Sequence, residues 1–382
     1  MIEYIPGLEH VPAAESAISF IDGEKGILRY RGILIEDLAA HSTFEEVAYL
    51  LMTGRLPNEQ ELSELSQHLG EARKLSPELR AVIKSLPKNA PPMAVLQTCV
   101  AAVGAVQAPS SVYDETSRHR SAIEFIGKFP AIVAAFQRHR TGKDFIEANP
   151  SASHAGDFLH MLTGEKPDPL KVKAMDTCLI LHADHTMNAS TFCTRVTGST
   201  ECQASAAFSA AVGSLSGPLH GGANEAVLRQ LESIGSKDRT AAWFEEKLAK
   251  KEKIMGMGHR VYKTKDPRSY ILQGLARELF EKFGSFPLYD VATELERCAI
   301  DKLGPRGIYP NVDFYAGIVY ARLGIPSDMG TPIFAVSRIA GWASHWMEQM
   351  RHNRIFRPTQ VYQGEASAPY IPMSERKAPV RA

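Results

Sequence analysis

The chain has 382 residues, of which 44% are hydrophobic and 23% charged, the proportions of an ordinary globular protein with a sizeable buried core. Lys plus Arg and Asp plus Glu each number 43, and that balance argues against a nucleic-acid or membrane-surface protein, which would carry a basic excess. The cysteines (Cys99, Cys178, Cys193, Cys202 and Cys298) are odd in number and widely spaced with no CxxC pair, so neither a disulfide framework nor a zinc site is expected, and a reducing, cytoplasmic setting is favoured. The first residues lack the basic and apolar regions of a secretory or transit peptide, and no apolar run is long enough to span a bilayer.

The first element is a hairpin. ISFIDGEKGILRYRG sets two partly alternating apolar runs around a Gly-rich turn, Asp22 to Gly26. Helical patterns follow. Thr43 and Glu46 form a capping box, Phe44, Val47, Ala48 and Leu51 line one face, and Gly54 closes the helix. Ser76-Pro77 opens another, with Leu79, Val82, Ile83 and Leu86 inward and Pro87 as the stop. Helical spacing continues through residues 91–106, 117–140, 150–162, 168–197, 201–215, 223–233, 239–250, 267–283, 288–303, 312–323 and 333–352. Strand signals beyond the hairpin are few, and no fixed repeat marks a solenoid. The predicted fold class is all-α with a short N-terminal β-hairpin. The Pro- and Ala-containing segment from about Gly364 is expected to be extended and packed on a partner.

Three stretches interrupt the helices with Gly, Pro and polar residues: SLSGPLHGGAN (214–224), IMGMGHRVYKTKDPR (254–268) and GIYPNVDFYAG (307–317). Each carries one residue suited to proton chemistry, His220, His259 and Asp313. Glycines let backbone approach a ligand closely. His220 lies just before a helix resumes, and a positive helix end would keep its ring neutral, able to donate a hydrogen bond. Asp313 enters an apolar helix, where an N-cap role competes with a chemical one.

Other signals narrow the choices. GMGHRV lacks the third glycine and the βαβ setting of a dinucleotide site. His182 and His185 stand i, i+3 on one expected helical face, but no third ligand or HExxH accompanies them, so a structural or substrate-binding role outweighs a metal site. The GxSxG elbow and the P-loop are absent. Arg268, Arg338 and Arg357 occur where a lone cation needs a partner, either an intramolecular carboxylate or a small dicarboxylate ligand.

LHADHTMNAS, GPLHGGANE, GMGHRVYKTKDPR, YPNVDFYAG and AVSRIAGW, in this order, resemble the citrate synthase family, and the likeness runs from IDGEKGILRYRGI through essentially the whole chain. The resemblance implies a two-domain helical fold, with a large dimerisation domain (residues 1–221 and 325–382) and a small domain (222–324) on the acyl-CoA side of an interdomain cleft. It implies condensation of acetyl-CoA with oxaloacetate and water to citrate and CoA, the tricarboxylic acid cycle reaction. No metal and no tightly bound cofactor is implied. His220 would steady the enolate, Asp313 would act as base, and His259 would bind and protonate the oxaloacetate carbonyl. His185, Arg268, Arg338 and Arg357 would hold substrate carboxylates and hydroxyl, Arg357 from the other subunit of a homodimer or a higher homo-oligomer. Arg260, Lys263 and Arg306 would meet coenzyme A phosphates. The alternatives are a 2-methylcitrate synthase using propionyl-CoA, a non-catalytic scaffold relative, and a metal-dependent hydrolase built on His182 and His185.

Overall fold

DGEKG folds as expected into a turn between β1 (Ser19–Asp22) and β2 (Ile27–Tyr30), which pair antiparallel with Ser19 opposite Tyr30. Asp22 closes the turn by accepting the Lys25 N–H at 3.0 Å. A third strand, β3 (Ile33–Leu34), joins β2. At two residues it is too short for alternation to reveal. The computed structural model describes residues 4–284 and 286–376.

Among the described residues the rest is helical: α1 (Ile35–His41), α2 (Phe44–Thr53), α3 (Glu59–Ala72), α4 (Pro77–Ser85), α5 (Pro92–Val106), α6 (Glu115–Arg140), α7 (His154–Thr163), α8 (Pro169–His182), α9 (Ala189–Gly198), α10 (Ala204–Leu215), α11 (Ala223–Ile234), α12 (Lys237–Ala249), α13 (Pro267–Phe283), α14 (Pro287–Leu303), α15 (Val312–Arg322) and α16 (Gly330–Arg351). The fold class is all-α, as the sequence suggested. The Thr43/Glu46 capping box forms, and Gly54 ends α2 in the left-handed region. Helices α1 and α3 were not anticipated, although Asn58 and Glu61 make a second capping box at the start of α3.

One expectation fails in a useful way. The predicted helix over 168–197 breaks at Ala183 to Asn188. Asp184 accepts the Thr186 N–H at 3.1 Å, Thr186 has φ of 50°, and Asn188 caps α9 by accepting the Thr191 N–H at 3.1 Å. Such local side-chain bonds compete with helix continuation. His182 therefore ends α8 while His185 lies in the break, and the two do not share a helical face.

Helix α16 runs buried through almost its whole length and packs against α2, α6, α8, α9 and α10. Trp342 and Trp346 are fully buried on it. Gly341 lets α16 touch the break: its N–H donates to the Ala183 carbonyl at 3.1 Å, and a Cβ there would fall 2.3 Å from that oxygen. Helices α11 to α15 pack largely on one another, α13 on α15, α12 on α14 and α11 on α15.

Residues Ser16–Ile355 form one compact unit, and a smaller unit is drawn from the two chain ends, up to Glu15 and from Phe356 onward. The smaller unit has short 3-10 turns at Pro6–Leu8 and Met373–Glu375 and leaves Tyr4, Tyr362, Tyr370 and Met373 exposed. All of the cysteines are unpaired. No helix among the described residues is long and apolar enough to cross a membrane.

Gly341→Ala should push α16 away from the break. Overpacking of this kind costs about 1–3 kcal/mol, so the denaturation midpoint should fall and ligand binding around His185 should weaken. An unchanged midpoint would show that the contact yields freely.

Candidate active site

The break between α8 and α9 presents His185. It is anchored by Asp184, which is fully buried. Asp184 accepts from the Ser19 hydroxyl, and its other oxygen lies 3.2 Å from His345 Nε2. Arg195 Nε donates to His345 Nδ1 at 3.1 Å, holding that ring in place. The Tyr30 hydroxyl donates to the Asp184 carbonyl at 2.9 Å and accepts the Asp184 N–H at 3.1 Å. Thus β2 and α16 grip the break from two sides.

His259 and Asp313 are placed by one clamp. Gly256 and Gly258 have φ of 79° and 83°, values that suit glycine. Gly258 N–H donates to the Tyr309 carbonyl at 2.8 Å, Asn311 N–H to the Gly256 carbonyl at 2.9 Å, and Asn311 Nδ2 to the Gly258 carbonyl at 2.9 Å. Asn311, not Asp313, is the N-cap of α15, accepting the Asp313 N–H at 3.0 Å. The Asp313 carboxylate makes no hydrogen bond among the described residues and remains available. The β1–β2 turn supports the same loop, with Lys263 N–H donating to the Gly23 carbonyl at 3.0 Å.

Hydrogen bonds fix the state of both histidines. His259 Nδ1 accepts the N–H groups of Val261 (2.9 Å) and Tyr262 (3.2 Å), so Nε2 carries the proton of a neutral ring. His220 Nε2 accepts the Ser190 N–H at 3.3 Å and lies 2.8 Å from Ser190 Oγ, leaving the proton on Nδ1. Trp342 Nε1 donates to Ser190 Oγ at 3.1 Å. Burial, followed by the Arg338 cation, pushes His220 down to about 4. Burial followed by Arg268 does the same to His259, also to about 4. Desolvation and a guanidinium thus act on His220 in the direction expected from the nearby start of α11. Burial also drives His185 well below its ordinary value, with Arg268, His259 and Arg338 adding to it.

Two arginines are buried here. Arg268, at the start of α13, is held by Asp266 through Nε (3.0 Å) and Nη2 (2.7 Å). Arg338 of α16 donates from Nε to the His182 carbonyl at 2.7 Å and stands 4.5 Å over the Phe334 ring. Among the described residues it has no ion-pair partner. Burial pushes it down to about 10. Asp313 is pushed up to about 6 by burial, with Arg268 pulling it back, Asp266 raising it further and Arg338 lowering it.

His185, His259 and Asp266 bring donor atoms within 4.8 Å of one another. Both Asp266 oxygens accept from Arg268, however, so this trio presents a guanidinium rather than a vacant carboxylate to an entering ligand. It suits an anion better than a cation.

Arg260, Lys263 and Arg306 are exposed on two neighbouring loops, with Gly307 against the Lys263 carbonyl. Arg357 belongs to the smaller unit, is exposed, and donates from Nη1 to the Pro358 carbonyl at 2.9 Å. Residues not anticipated are Ser190, Trp342, Asp266, Tyr262 and the Asp184 anchor. Only Asp266 had a visible signal, the DP that opens α13.

The family profile described as "Citrate synthase, C-terminal domain" matches residues 7–359. The citrate synthase of Synechocystis sp. is 49% identical, over 97% of this chain and 93% of its own length. That of Acidithiobacillus ferridurans is 46% identical, over 98% of each. Among solved structures, the Thermoplasma acidophilum citrate synthase in ternary complex with carboxymethyl coenzyme A and oxaloacetate superposes with a TM-score of 0.92 at 37% identity, covering 98% of this chain and 100% of that one. With neutral histidines, a free carboxylate and two buried arginines already described, these likenesses leave one conclusion: the chain belongs to the citrate synthase family.

Proposed function

We propose that the chain condenses acetyl-CoA with oxaloacetate and water, releasing citrate and CoA. The observation that carries this reading is an unbonded Asp313 carboxylate, raised to about 6 by burial within the fields of the buried Arg268 and Arg338, the same two guanidiniums that help keep His259 and His220 neutral. Proton abstraction from a weak carbon acid needs a base and a donor aimed at the developing oxyanion. Asp313 takes a proton from the thioester methyl. His220 donates from Nδ1 to the thioester oxygen as the enolate forms. The enolate carbon attacks the ketone carbon of oxaloacetate, and His259 gives its Nε2 proton to the new alkoxide. The two backbone N–H groups on His259 Nδ1 stabilise the ring as that proton leaves. Water then hydrolyses the citryl thioester, freeing CoA.

Arg268, Arg338 and His185 hold the oxaloacetate carboxylates and hydroxyl. Arg260, Lys263 and Arg306 meet the phosphates of coenzyme A. The ternary complex of the Thermoplasma relative supports both ligands. Residues 222–324 act as a small domain that closes on the rest, and closure excludes water until condensation is complete. The chain works as a homodimer in the cytoplasm, with Arg357 reaching the partner's site. Propionyl-CoA in place of acetyl-CoA is the nearest alternative substrate, since one methylene discriminates by only about 1–3 kcal/mol. Thiol release measured with each thioester separates the two.

Asp313→Asn should lower kcat by about 10²- to 10⁴-fold while oxaloacetate still binds by calorimetry. Near-normal turnover would remove Asp313 from the mechanism. The acid limb of kcat/KM should report the same group. Its pKa is raised, so the base form is full above about 6 and is lost below it. The rate should fall about tenfold per pH unit there. His220 and His259, both near 4, stay neutral across that window. A limb at 4, or a slope of two, would reassign the titrating group.

A shared site makes a third expectation. Arg357→Ala homodimers should bind oxaloacetate weakly, and Asp313→Asn homodimers should bind it but turn over poorly. A mixed dimer would carry both defects in one site and none in the other. Exchange of subunits between the two variants should therefore restore part of the activity. If mass analysis confirms exchange and no activity returns, Arg357 does not serve the partner.

A further inference from the structure

Tyr262 has no role in the chemistry above, yet its side chain lies inside the site at 1% exposure. Its backbone N–H donates to His259 Nδ1 at 3.2 Å. Its ring centroid stands 4.8 Å from that of His259 and 5.6 Å from that of His185. Its hydroxyl oxygen lies 3.4 Å from His185 Nε2, the one hydrogen-bond partner of that hydroxyl among the described residues. Packing alone would be served as well by phenylalanine, and burying a hydroxyl costs free energy unless it is hydrogen-bonded. The hydroxyl is therefore tied to His185.

The direction of that bond follows by elimination. Burial raises the Tyr262 phenol above its ordinary value, so it keeps its proton. His185 is neutral, having been driven well below its ordinary value by burial and then by Arg268. A neutral imidazole has one N–H and one lone pair. If His185 Nε2 carried the hydrogen, the phenol proton would have no acceptor among the described residues. The phenol therefore donates to Nε2, and the His185 proton sits on Nδ1. Nδ1 hydrogen-bonds to no protein group among the described residues, and it belongs to a ring whose surroundings include Arg268 and Arg338.

We infer that Tyr262 is a positioning residue for oxaloacetate: its hydroxyl holds His185 in the Nδ1–H tautomer, so that a donor and not a lone pair faces the substrate. This rests on the proposed condensation reaction. In the other tautomer a ring lone pair would oppose a carboxylate or ketone oxygen. The loss of one charge-assisted hydrogen bond corresponds to about 10- to 100-fold in affinity.

The test is oxaloacetate binding to the full-length protein by calorimetry, alongside steady-state kinetics. Tyr262→Phe keeps the ring and removes the hydroxyl. It should weaken oxaloacetate binding by about 10- to 100-fold, raise KM for oxaloacetate, and leave KM for acetyl-CoA within about twofold. In a His185→Gln background it should have no further effect. Equal binding by wild type and Tyr262→Phe overturns the inference. So does an undiminished effect of Tyr262→Phe in the His185→Gln background, which marks a packing role. A second series does not depend on Tyr262 folding well. Asparagine at 185 places its amide where Nδ1 stands, and glutamine places it where Nε2 stands. His185→Asn should retain more affinity than His185→Gln, and the reverse order overturns the tautomer assignment. Wild-type protein that binds no oxaloacetate would refute the proposed reaction itself, a different result from any of these.

Discussion

Arg338 is a cation buried in the protein without a carboxylate in contact, and much of the site is arranged around that fact. An ion removed from water carries an effective penalty of several kcal/mol. The His182 carbonyl at 2.7 Å and the face of Phe334 at 4.5 Å offset part of it, the ring by about 2 kcal/mol when desolvated. Arg268 lies in the same field, but Asp266 balances it. The pair thus presents net positive potential to the neighbouring titratable groups. That potential helps keep His185, His220 and His259 neutral, so each acts as a donor with a defined tautomer. It also opposes the rise that burial alone would impose on Asp313. Arg338 thus helps set the protonation state of His185, His220 and Asp313, and Arg268 that of His259.

Helix α16 delivers that charge to its place. Arg338 and Trp342 stand one turn apart, on the same face. Arg338 grips the end of α8, while Trp342 holds Ser190 at the start of α9. Gly341 seats the helix directly on the break between them. The setting of His259 and Asp313 is built differently, from backbone: the Gly256–Gly258 loop bonds to Tyr309 and Asn311, so the segments that carry these two residues are fixed to one another. A shift of either setting changes distances between reacting groups without disturbing the groups within that setting.

The proposed catalytic residues stand out in the sequence because their settings break the helical pattern. His220, His259 and Asp313 lie in Gly- and Pro-rich interruptions, and the ordered motifs carried the family. The α8–α9 break was not legible, since LHADHTMNAS keeps apolar spacing and contains neither Gly nor Pro. Its cause is tertiary: Asp184 is held by Ser19, His345 and Tyr30, residues far apart in sequence. The neutral state of His220 was expected from a nearby helix start, and burial and Arg338 push it the same way. No local pattern reports which residue sits behind another, so Ser190 behind His220 and Tyr262 behind His185 stayed hidden. Asp313 could have been an N-cap, and only the geometry of Asn311 removed that reading.

The positive field has a further consequence for the order of events. Arg268 and Arg338 both lower the Asp313 pKa. A dianion seated between the two guanidiniums neutralises that influence and adds negative charge nearby, and each change favours the protonated carboxyl. On the proposed reaction, Asp313 would then be a stronger base with oxaloacetate bound than without it. The histidines respond less, because burial is their leading cause and the ligand does not restore water to them. Oxaloacetate would in this way raise the basicity needed to form the enolate while leaving the donors neutral. An enolate generated before the ketone arrives would only return its proton or lose the thioester to water. Coupling base strength to the bound dianion would disfavour that loss by electrostatics alone, and the proposed closure of residues 222–324 on the rest would act in the same direction.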